Sequence, residues 1–315
     1  MKSEDKSIIV YGGTGYYGRK VVQKLILKGQ PVKVVSRDRD KARKILGEKV
    51  EIFEGDVTDQ RTIVSSLKNV TTIIICLSAM TPGLIRKMRQ IERDAVLTIM
   101  AEAKKQKISR LLYMSGYEIR PQLLRDLNIP EFGAIKIEIE AAVSQSDFNW
   151  TILGDAPAFE IFFAFLRNRK MIVPGGGRNA IPSISAEDVG EITAQAALRS
   201  DLNGKRLKLT GPEAFTFPAA AERIALITGK KIKHFAIPMI VVNAVSFLLL
   251  PFNPFVRFLY KSLKMLNHFP PDLAAHVLQD HKILRDLFDY EPVTLEMEIA
   301  QRLRENKISI NLNTR

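Results

Sequence analysis

The stretch Ile8-Ile9-Val10-Tyr11-Gly12-Gly13-Thr14-Gly15-Tyr16-Tyr17-Gly18 decides how this chain folds. It opens on four apolar residues, mostly β-branched, the composition of a strand covered on both faces. Gly12, Gly15 and Gly18 then recur at a spacing of three, and a helical pattern runs over residues 17–28. Each glycine has a task. One permits the tight turn from strand to helix, one lets backbone approach a pyrophosphate, and one lets the helix pack close to the strand. The helix start also offers unpaired N–H groups, which suit a phosphate. A second strand about twenty residues further on completes the context that such a turn needs.

Outward from this loop, apolar runs alternate with helical patterns. Strands are predicted over 8–11, 32–36, 50–54, 72–77 and 111–115, and helices over 17–28, 41–46, 60–67 and 84–106. Such alternation predicts right-handed βαβ units on a parallel sheet. A helix over 134–145 and a strand over 150–153 extend it. Ser185-Ala186-Glu187-Asp188 reads as a capping box opening a helix to about Leu198, and a strand over 206–210 rejoins the sheet. The expected class is α/β: a doubly wound, mostly parallel Rossmann sheet with a smaller, mainly helical C-terminal substrate or lid region. The core is expected over 1–157, with 180–212 returning to it, and the lid region over 158–179 and 213–315.

Beyond Gly211 the character changes. Residues 217–228 read as a helix, and no residue from Phe235 to Val256 is charged. Pro238, Pro251 and Pro254 divide that run, leaving residues 239–250 as its longest piece. As a helix this piece rises ~18 Å against a hydrocarbon core of ~30 Å, too short to span. From Pro254, the residues Phe255, Phe258, Leu259, Leu263 and Leu266 form an apolar stripe beside Arg257, Lys261 and Lys264. Two readings stay open: a lid helix packed over a pocket, or a basic amphipathic helix on an anionic membrane. Residues 239–266 are the expected place for a peripheral membrane or protein contact.

The 47 Lys/Arg against 34 Asp/Glu give a net charge of +13, which favours an anionic partner such as a cofactor phosphate, a membrane or a nucleic acid. Much of the excess lies between Pro82 and Arg110, which carry eight Lys/Arg and three Asp/Glu. The other face of that helix, with Leu84, Met88, Ile91, Ala95, Ile99 and Met100, reads as core. No zinc finger, RNP motif or basic arm accompanies the charge, so no nucleic-acid partner is expected. The single cysteine, Cys76, excludes an internal disulfide and a cysteine-based metal site, and its apolar neighbours predict a buried structural thiol. His234, His268, His276 and His281 lack metal-ligand spacing, so no metal is expected. The charged start, with no apolar signal segment after it, predicts a cytoplasmic protein.

The second strand ends in Ser36-Arg37. An acidic residue there would bind the ribose hydroxyls of NAD, whereas a basic one suits the 2′-phosphate of NADP. Arg39, Lys41, Arg43 and Lys44 follow, and Asp38 pulls the other way. The expected cofactor is NADP(H).

The loop Tyr11-Gly12-Gly13-Thr14-Gly15-Tyr16-Tyr17-Gly18 and the stretch Glu54-Gly55-Asp56-Val57-Thr58-Asp59 resemble the NmrA-like branch of the atypical short-chain dehydrogenase/reductase superfamily. The likeness continues through Arg110–Ser115, through Asn203-Gly204-Lys205-Arg206-Leu207 with Thr210-Gly211-Pro212-Glu213, and through Tyr290-Glu291-Pro292-Val293-Thr294-Leu295-Glu296. It implies an NADP(H) site formed by Gly12, Thr14, Gly15, Tyr16, Tyr17, Gly18, Ser36 and Arg37. Asp56 and Val57 are implied beside the adenine, and Leu77, Ser78 and Lys136 complete the expected cofactor contacts.

Reductases of this kind commonly pair a tyrosine with a lysine four residues later and a serine on the preceding strand. Here Ser115 ends the strand, and the helix supplies Phe132-Gly133-Ala134-Ile135-Lys136. Phenylalanine stands where the proton-donating tyrosine is expected. The run from Phe132 to Ala142, with Trp150-Thr151-Ile152-Leu153, is similar to isoflavone-reductase-like relatives, which implies Lys136 as the general acid/base. A lysine away from water can have a lowered pKa. Tyr113 and Tyr117 flank Ser115, and Tyr117 is the alternative acid. Many relatives carry Arg-Pro-Gly after the next strand, where this chain has Gly154-Asp155-Ala156-Pro157. The implied function is an NADPH-dependent reductase of a small apolar carbonyl or enone-type substrate, with Lys136, Ser115 and Tyr117 as catalytic candidates. The pocket is expected at the carboxyl ends of the strands, roofed by residues 159–165 and 239–269. The competing reading is a non-catalytic NADP(H) sensor or assembly factor.

A charge-assisted hydrogen bond to phosphate contributes ~1.5–3 kcal/mol. NADPH is therefore expected to bind at least about tenfold more tightly than NADH, and Arg37→Asp to abolish the preference. Titration calorimetry of both nucleotides at one ionic strength checks this.

Overall fold

In the computed structural model, which describes residues 6–249 and 253–305, β1 (Ser7–Tyr11) is buried from end to end. It is followed by β2 (Val32–Ser36), β3 (Glu51–Glu54), β4 (Val70–Ile75), β5 (Arg110–Gly116) and β6 (Asn149–Asp155). The later strands are β7 (Leu166–Arg167), β8 (Lys170–Pro174), β9 (Ile181–Pro182), β10 (Lys205–Leu209), β11 (Ala214–Phe215) and β12 (Lys233–Ile237). The helices of the first half are α1 (Gly18–Leu27), α2 (Arg39–Leu46), α3 (Gln60–Ser66), α4 (Ala95–Lys105), α5 (Pro121–Asp126) and α6 (Ala134–Ser144). Those of the second are α7 (Glu160–Ala164), α8 (Ala186–Ala197), α9 (Phe217–Thr228), α10 (Met239–Leu249), α11 (Pro254–Asn267), α12 (Pro271–Ala275), α13 (Val277–Leu287) and α14 (Leu295–Arg304).

Two compact units result. One comprises Met1–Ile119, Gly133–Asp155 and Ala186–Lys208, the other Arg120–Phe132, Ala156–Ser185 and Leu209–Arg315. The short segment Arg120–Phe132 groups with the second unit. The central sheet has the order β10-β6-β5-β4-β1-β2-β3, and β3-β2-β1-β4-β5-β6 are paired in parallel. Chain order reverses between β1 and β4. A parallel sheet opens a crevice outside the carboxyl ends of its strands at such a switch point.

The turn out of β1 depends on two missing side chains. Gly12 has φ +82°, and a Cβ there would press into the Cys76 carbonyl. A Cβ on Gly18 would collide with the Gly12 carbonyl. The helix can therefore begin directly against the strand. Gly190 does the same for α8, where a Cβ would lie 2.7 Å from that of Lys20 on α1. Along this contact Lys20 pairs with Glu187, Lys24 lies 3.6 Å from Glu187, and Lys28 lies 2.6 Å from Glu191. On one face of the sheet, Tyr11, Ile63, Ile73, Ile75, Ile99, Tyr113 and Ile139 form one core. The Tyr11 hydroxyl is satisfied inside it by Ser66 Oγ at 2.8 Å.

Residues 84–106 do not form the single expected helix. A 3₁₀ turn (Ile85–Lys87) and a π turn (Gln90–Asp94) precede α4. The extra residue in a π turn shifts the register of the face that follows. Here it accompanies the burial of Glu92, which is only 4% exposed.

The second unit is mainly helical, with two small sheets that sequence patterns do not reveal. In one, β12 pairs parallel with β8 and β8 antiparallel with β7; in the other, β11 pairs antiparallel with β9. Its core holds edge-to-face aromatics, with Phe162–Phe217 and Phe165–Phe217 centroids 5.2 and 5.3 Å apart. The stripe on α11 faces inward: Leu263 is buried, and the Phe258 ring lies 6.0 Å from that of Phe132. Leu250 and Pro251, at the end of the expected charge-free helix, lie outside the described residues. Among the described residues no helix is long and apolar enough to cross a membrane.

Gly18→Ala should lower the unfolding free energy by ~2–4 kcal/mol, as overpacking against backbone does. Gly29→Ala, at φ +72° with nothing within 4 Å, should cost only ~1 kcal/mol from the backbone conformation. Chemical denaturation of the two variants checks the contrast.

Candidate functional site

The glycine loop, Ser36-Arg37, Asp56-Val57, Leu77-Ser78 and Ser115 follow β1, β2, β3, β4 and the body of β5 at their carboxyl ends. Sheet order thus places them on one rim. Gly15 and Ser78 are exposed, and Thr14, Tyr16, Tyr17, Ser36, Asp56 and Val57 are half-buried. The first helical turn of α1 carries no acidic residue. The Arg19 and Lys20 N–H groups donate to the Gly15 and Tyr17 carbonyls, and the positive end of the helix faces the rim with no carboxylate to neutralise it.

The basic run after β2 sorts by role. Arg39 pairs with Glu54 at 3.3 Å, and Arg43 donates to the carbonyls of Gly47, Glu48 and Val50. Asp38 caps α2, accepting from the Lys41 backbone N–H at 2.8 Å. Its carboxylate is therefore engaged locally. Arg37 is exposed and makes no ion pair among the described residues. Burial alone would raise the Asp56 carboxyl. Hydrogen bonds from the Thr58 N–H and hydroxyl, at 2.9 and 2.8 Å, and the charges of Arg37 and Lys87 instead bring it below its ordinary value.

At the other end of the rim, Lys136 on α6 is packed over β5. Its Nζ lies 3.4 Å from the Met114 carbonyl, 5.2 Å from the Tyr113 ring centroid and 3.7 Å from Glu92 Oε2. The other Glu92 oxygen accepts from the Ala79 N–H at 2.6 Å, pinning the loop after β4. Burial pushes the Lys136 ammonium down, but the Tyr113 phenol and the Glu92 and Asp155 carboxyls outweigh it, so its pKa is raised. A lowered pKa, expected from burial alone, is not found, because that expectation lacked Glu92. On the same strand, Ser115 Oγ is buried without a hydrogen-bond partner.

Asp155 ends β6, level with Gly116. Its Oδ1 is buried without a hydrogen-bond partner. Burial holds its carboxyl well above the usual range, against the pull of Lys136 and Arg206. The same burial raises the Cys76 thiol, and the nearby Asp155 charge adds to it. Cys76 is half-buried, not buried as its neighbours suggest, because it is the first residue beyond β4. Its sulfur meets Met114 Sδ at 2.8 Å.

Gly154 gives room to a side chain from β10. A Cβ there would lie 3.0 Å from both terminal nitrogens of Arg206. Arg206 donates to the Gly116 and Tyr117 carbonyls at 2.8 and 3.2 Å and to Glu140 at 2.8 Å. A guanidinium thus covers Gly154. Tyr117, the alternative acid, is buried under Lys208, whose Nζ lies 5.4 Å from its ring centroid. The phenol beside Lys136 is Tyr113. Sequence reasoning missed Glu92, Asp155 and Arg206. The first was masked within a basic helix, and the others are functional only through contacts across strands.

A parallel sheet with its glycine turn at the switch point is the architecture of a dinucleotide-binding α/β protein. Residues 12–199 match the NAD(P)H-binding family, and the chain belongs to it. The NAD(P)H azoreductase of Xenophilus azovorans is 23% identical over 235 residues, covering 74% of this chain and 77% of the relative. A photosystem II assembly factor of Trieres chinensis is 21% identical over 245 residues, covering 76% and 75%. Among solved structures, the Escherichia coli NADPH-dependent quinone oxidoreductase with NADPH superposes at TM-score 0.72, with 18% identity over 94% of this chain and 99% of that one. Citrobacter sp. triphenylmethane reductase with NADP(H) gives the same TM-score, 0.72, at 17% identity and the same coverage, 94% and 99%.

Glu92→Gln keeps an acceptor for Ala79 and removes the charge facing Lys136. The Lys136 pKa should then fall. The alkaline limit of NADPH binding should move to lower pH accordingly, as read from dissociation constants across a pH series. An unchanged profile would show that Glu92 does not set the lysine's charge.

Proposed function

We propose that this protein is an NADPH-dependent reductase of a small, largely apolar carbonyl or enone-type acceptor. The observation that carries the reading is a half-buried lysine paired with Glu92 over the carboxyl half of β5, the strand whose Ser115 hydroxyl is buried without a hydrogen-bond partner. When bound, NADPH supplies the hydride. The reduced acceptor gains negative charge on its oxygen, and a fixed ammonium and hydroxyl stabilise such charge in a water-poor site. Ser115 Oγ and Lys136 Nζ are assigned that role. Gly12, Thr14, Gly15, Tyr16, Tyr17 and Gly18 hold the pyrophosphate, and Arg37 the 2′-phosphate. Asp56 and Val57 line the adenine, and Leu77, Ser78 and Lys136 the nicotinamide half.

With phenylalanine at position 132, the proton has another source. Asp155 is a carboxyl kept neutral by burial and near enough to Lys136 for their charges to interact. It is therefore a better donor than an ammonium whose pKa is raised. The names of the relatives support reduction of conjugated acceptors: azo, quinone and triphenylmethane compounds. The single thiol fits a cytoplasmic setting.

A second reading, a non-catalytic NADP(H) sensor or assembly factor, is favoured by Phe132. Its ring is used for packing against Phe258, and one relative is named as an assembly factor.

Single-turnover hydride transfer from deuterated NADPH to a quinone and enone panel separates the two. For a reductase, Lys136→Ala should cost roughly 10²–10⁴-fold in transfer rate. It is best made with Glu92→Gln, so that no lone buried carboxylate remains. Asp155→Asn should slow the protonation step and leave NADPH affinity unchanged. A sensor shows no transfer with any acceptor, and Lys136→Ala then changes nucleotide affinity alone.

A further inference from the structure

The α10 helix has its apolar side outward. Ile240, Phe247 and Leu248 are 79%, 77% and 70% exposed, and Val241 and Val245 are about half exposed. Ser246, by contrast, is buried. At 3.6 residues per turn the exposed set spans ~160° of the helix surface. None of its 11 residues is charged. A water-facing helix ordinarily shows the reverse pattern, and a contiguous exposed apolar patch marks an interaction surface.

The surroundings of this helix are of one sign. Between Gly229 and Pro271 the charged residues are Lys230, Lys231, Lys233, Arg257, Lys261 and Lys264, with no acid among them. Lys261 is taken up by Glu131, and Lys264 by the Leu127 carbonyl. Arg257 also lies 3.5 Å from Glu131 but stays exposed, as do Lys231 and Lys233. A second copy of this chain on the same face would bring like charges together, which disfavours self-association. An anionic lipid surface offers an apolar layer for the helix and a negative layer for the cations. The helix rises only ~17 Å, so it can lie in that interface and cannot cross it.

We propose that α10 docks this protein on an anionic membrane surface, with Ile240, Phe247 and Leu248 inserted among the lipids and Lys231, Lys233 and Arg257 at the headgroups. The α11 stripe is not the anchor, since it is turned into the second unit.

The test is flotation of the full chain with phosphatidylcholine vesicles, with and without phosphatidylglycerol, at low and high salt. Binding is expected with the anionic vesicles at low salt, falling with salt and without the anionic lipid. Ile240→Glu with Phe247→Glu should reduce the bound fraction by roughly tenfold or more, as should Lys231→Glu with Lys233→Glu. NADPH affinity should be unchanged in both, which reports folding. No flotation with anionic vesicles at low salt would overturn the proposal, as would flotation indifferent to both pairs of substitutions. A dimer in sedimentation equilibrium that Ile240→Glu with Phe247→Glu dissolves would assign the face to a second copy instead.

Discussion

The carbonyl of Gly12 is the point on which the first unit turns. The chain leaves β1 there, pressed on one side against the Cys76 carbonyl at the end of β4 and on the other against Gly18. No side chain fits in either gap. Because α1 can start so close to the strand, its N–H groups point over the switch between β1 and β4. Because α1 lies so low, α8 can rest on it through Gly190. Rim, crevice and the packing of two helices follow from one crowded turn.

Charge on the rim is managed by pairing at one place and neutralisation at another. Glu92 is buried and Lys136 half-buried, and the carboxylate supports the ionised form of the lysine. An unpaired buried carboxylate is costly, and that burial raises the Asp155 carboxyl well above its ordinary range. A lysine on α6, packed over β5, and a carboxyl of raised pKa at the end of β6 thus stand on one rim, the pattern that divides electrostatic stabilisation from proton donation. Among the described residues, Arg206 does not donate to Asp155. It spends its donors on Gly116, Tyr117 and Glu140, above a glycine that leaves space for it.

The large positive charge is likewise divided. Lys20, Lys24 and Lys28 face Glu187 and Glu191 between helices, and Arg39 and Arg43 close local turns. Such cations answer to the fold. Among the described residues, Arg37 at the nucleotide rim and Lys231 and Lys233 beside α10 are exposed and make no ion pair, so each can meet an anion from outside.

The sequence by itself determined the sheet. A covered strand must be apolar on both faces, a phosphate turn must be glycine-rich, and both rules are local, so β1 to β6 and the loop at Gly12–Gly18 could be read residue by residue. The lysine at position 136 and the missing phenol at 132 were legible for the same reason, as spacings along one helix. Only the tertiary structure decided what surrounds them. The π turn that buries Glu92, the placing of Tyr113 and not Tyr117 by Lys136, and the reach of Arg206 across β6 depend on residues far apart in the chain. So do the pairing of β12 with β8 and the outward face of α10. A pKa, a burial or an exposed face is a property of neighbours, and neighbours are set by packing between elements, which no periodicity within one element records.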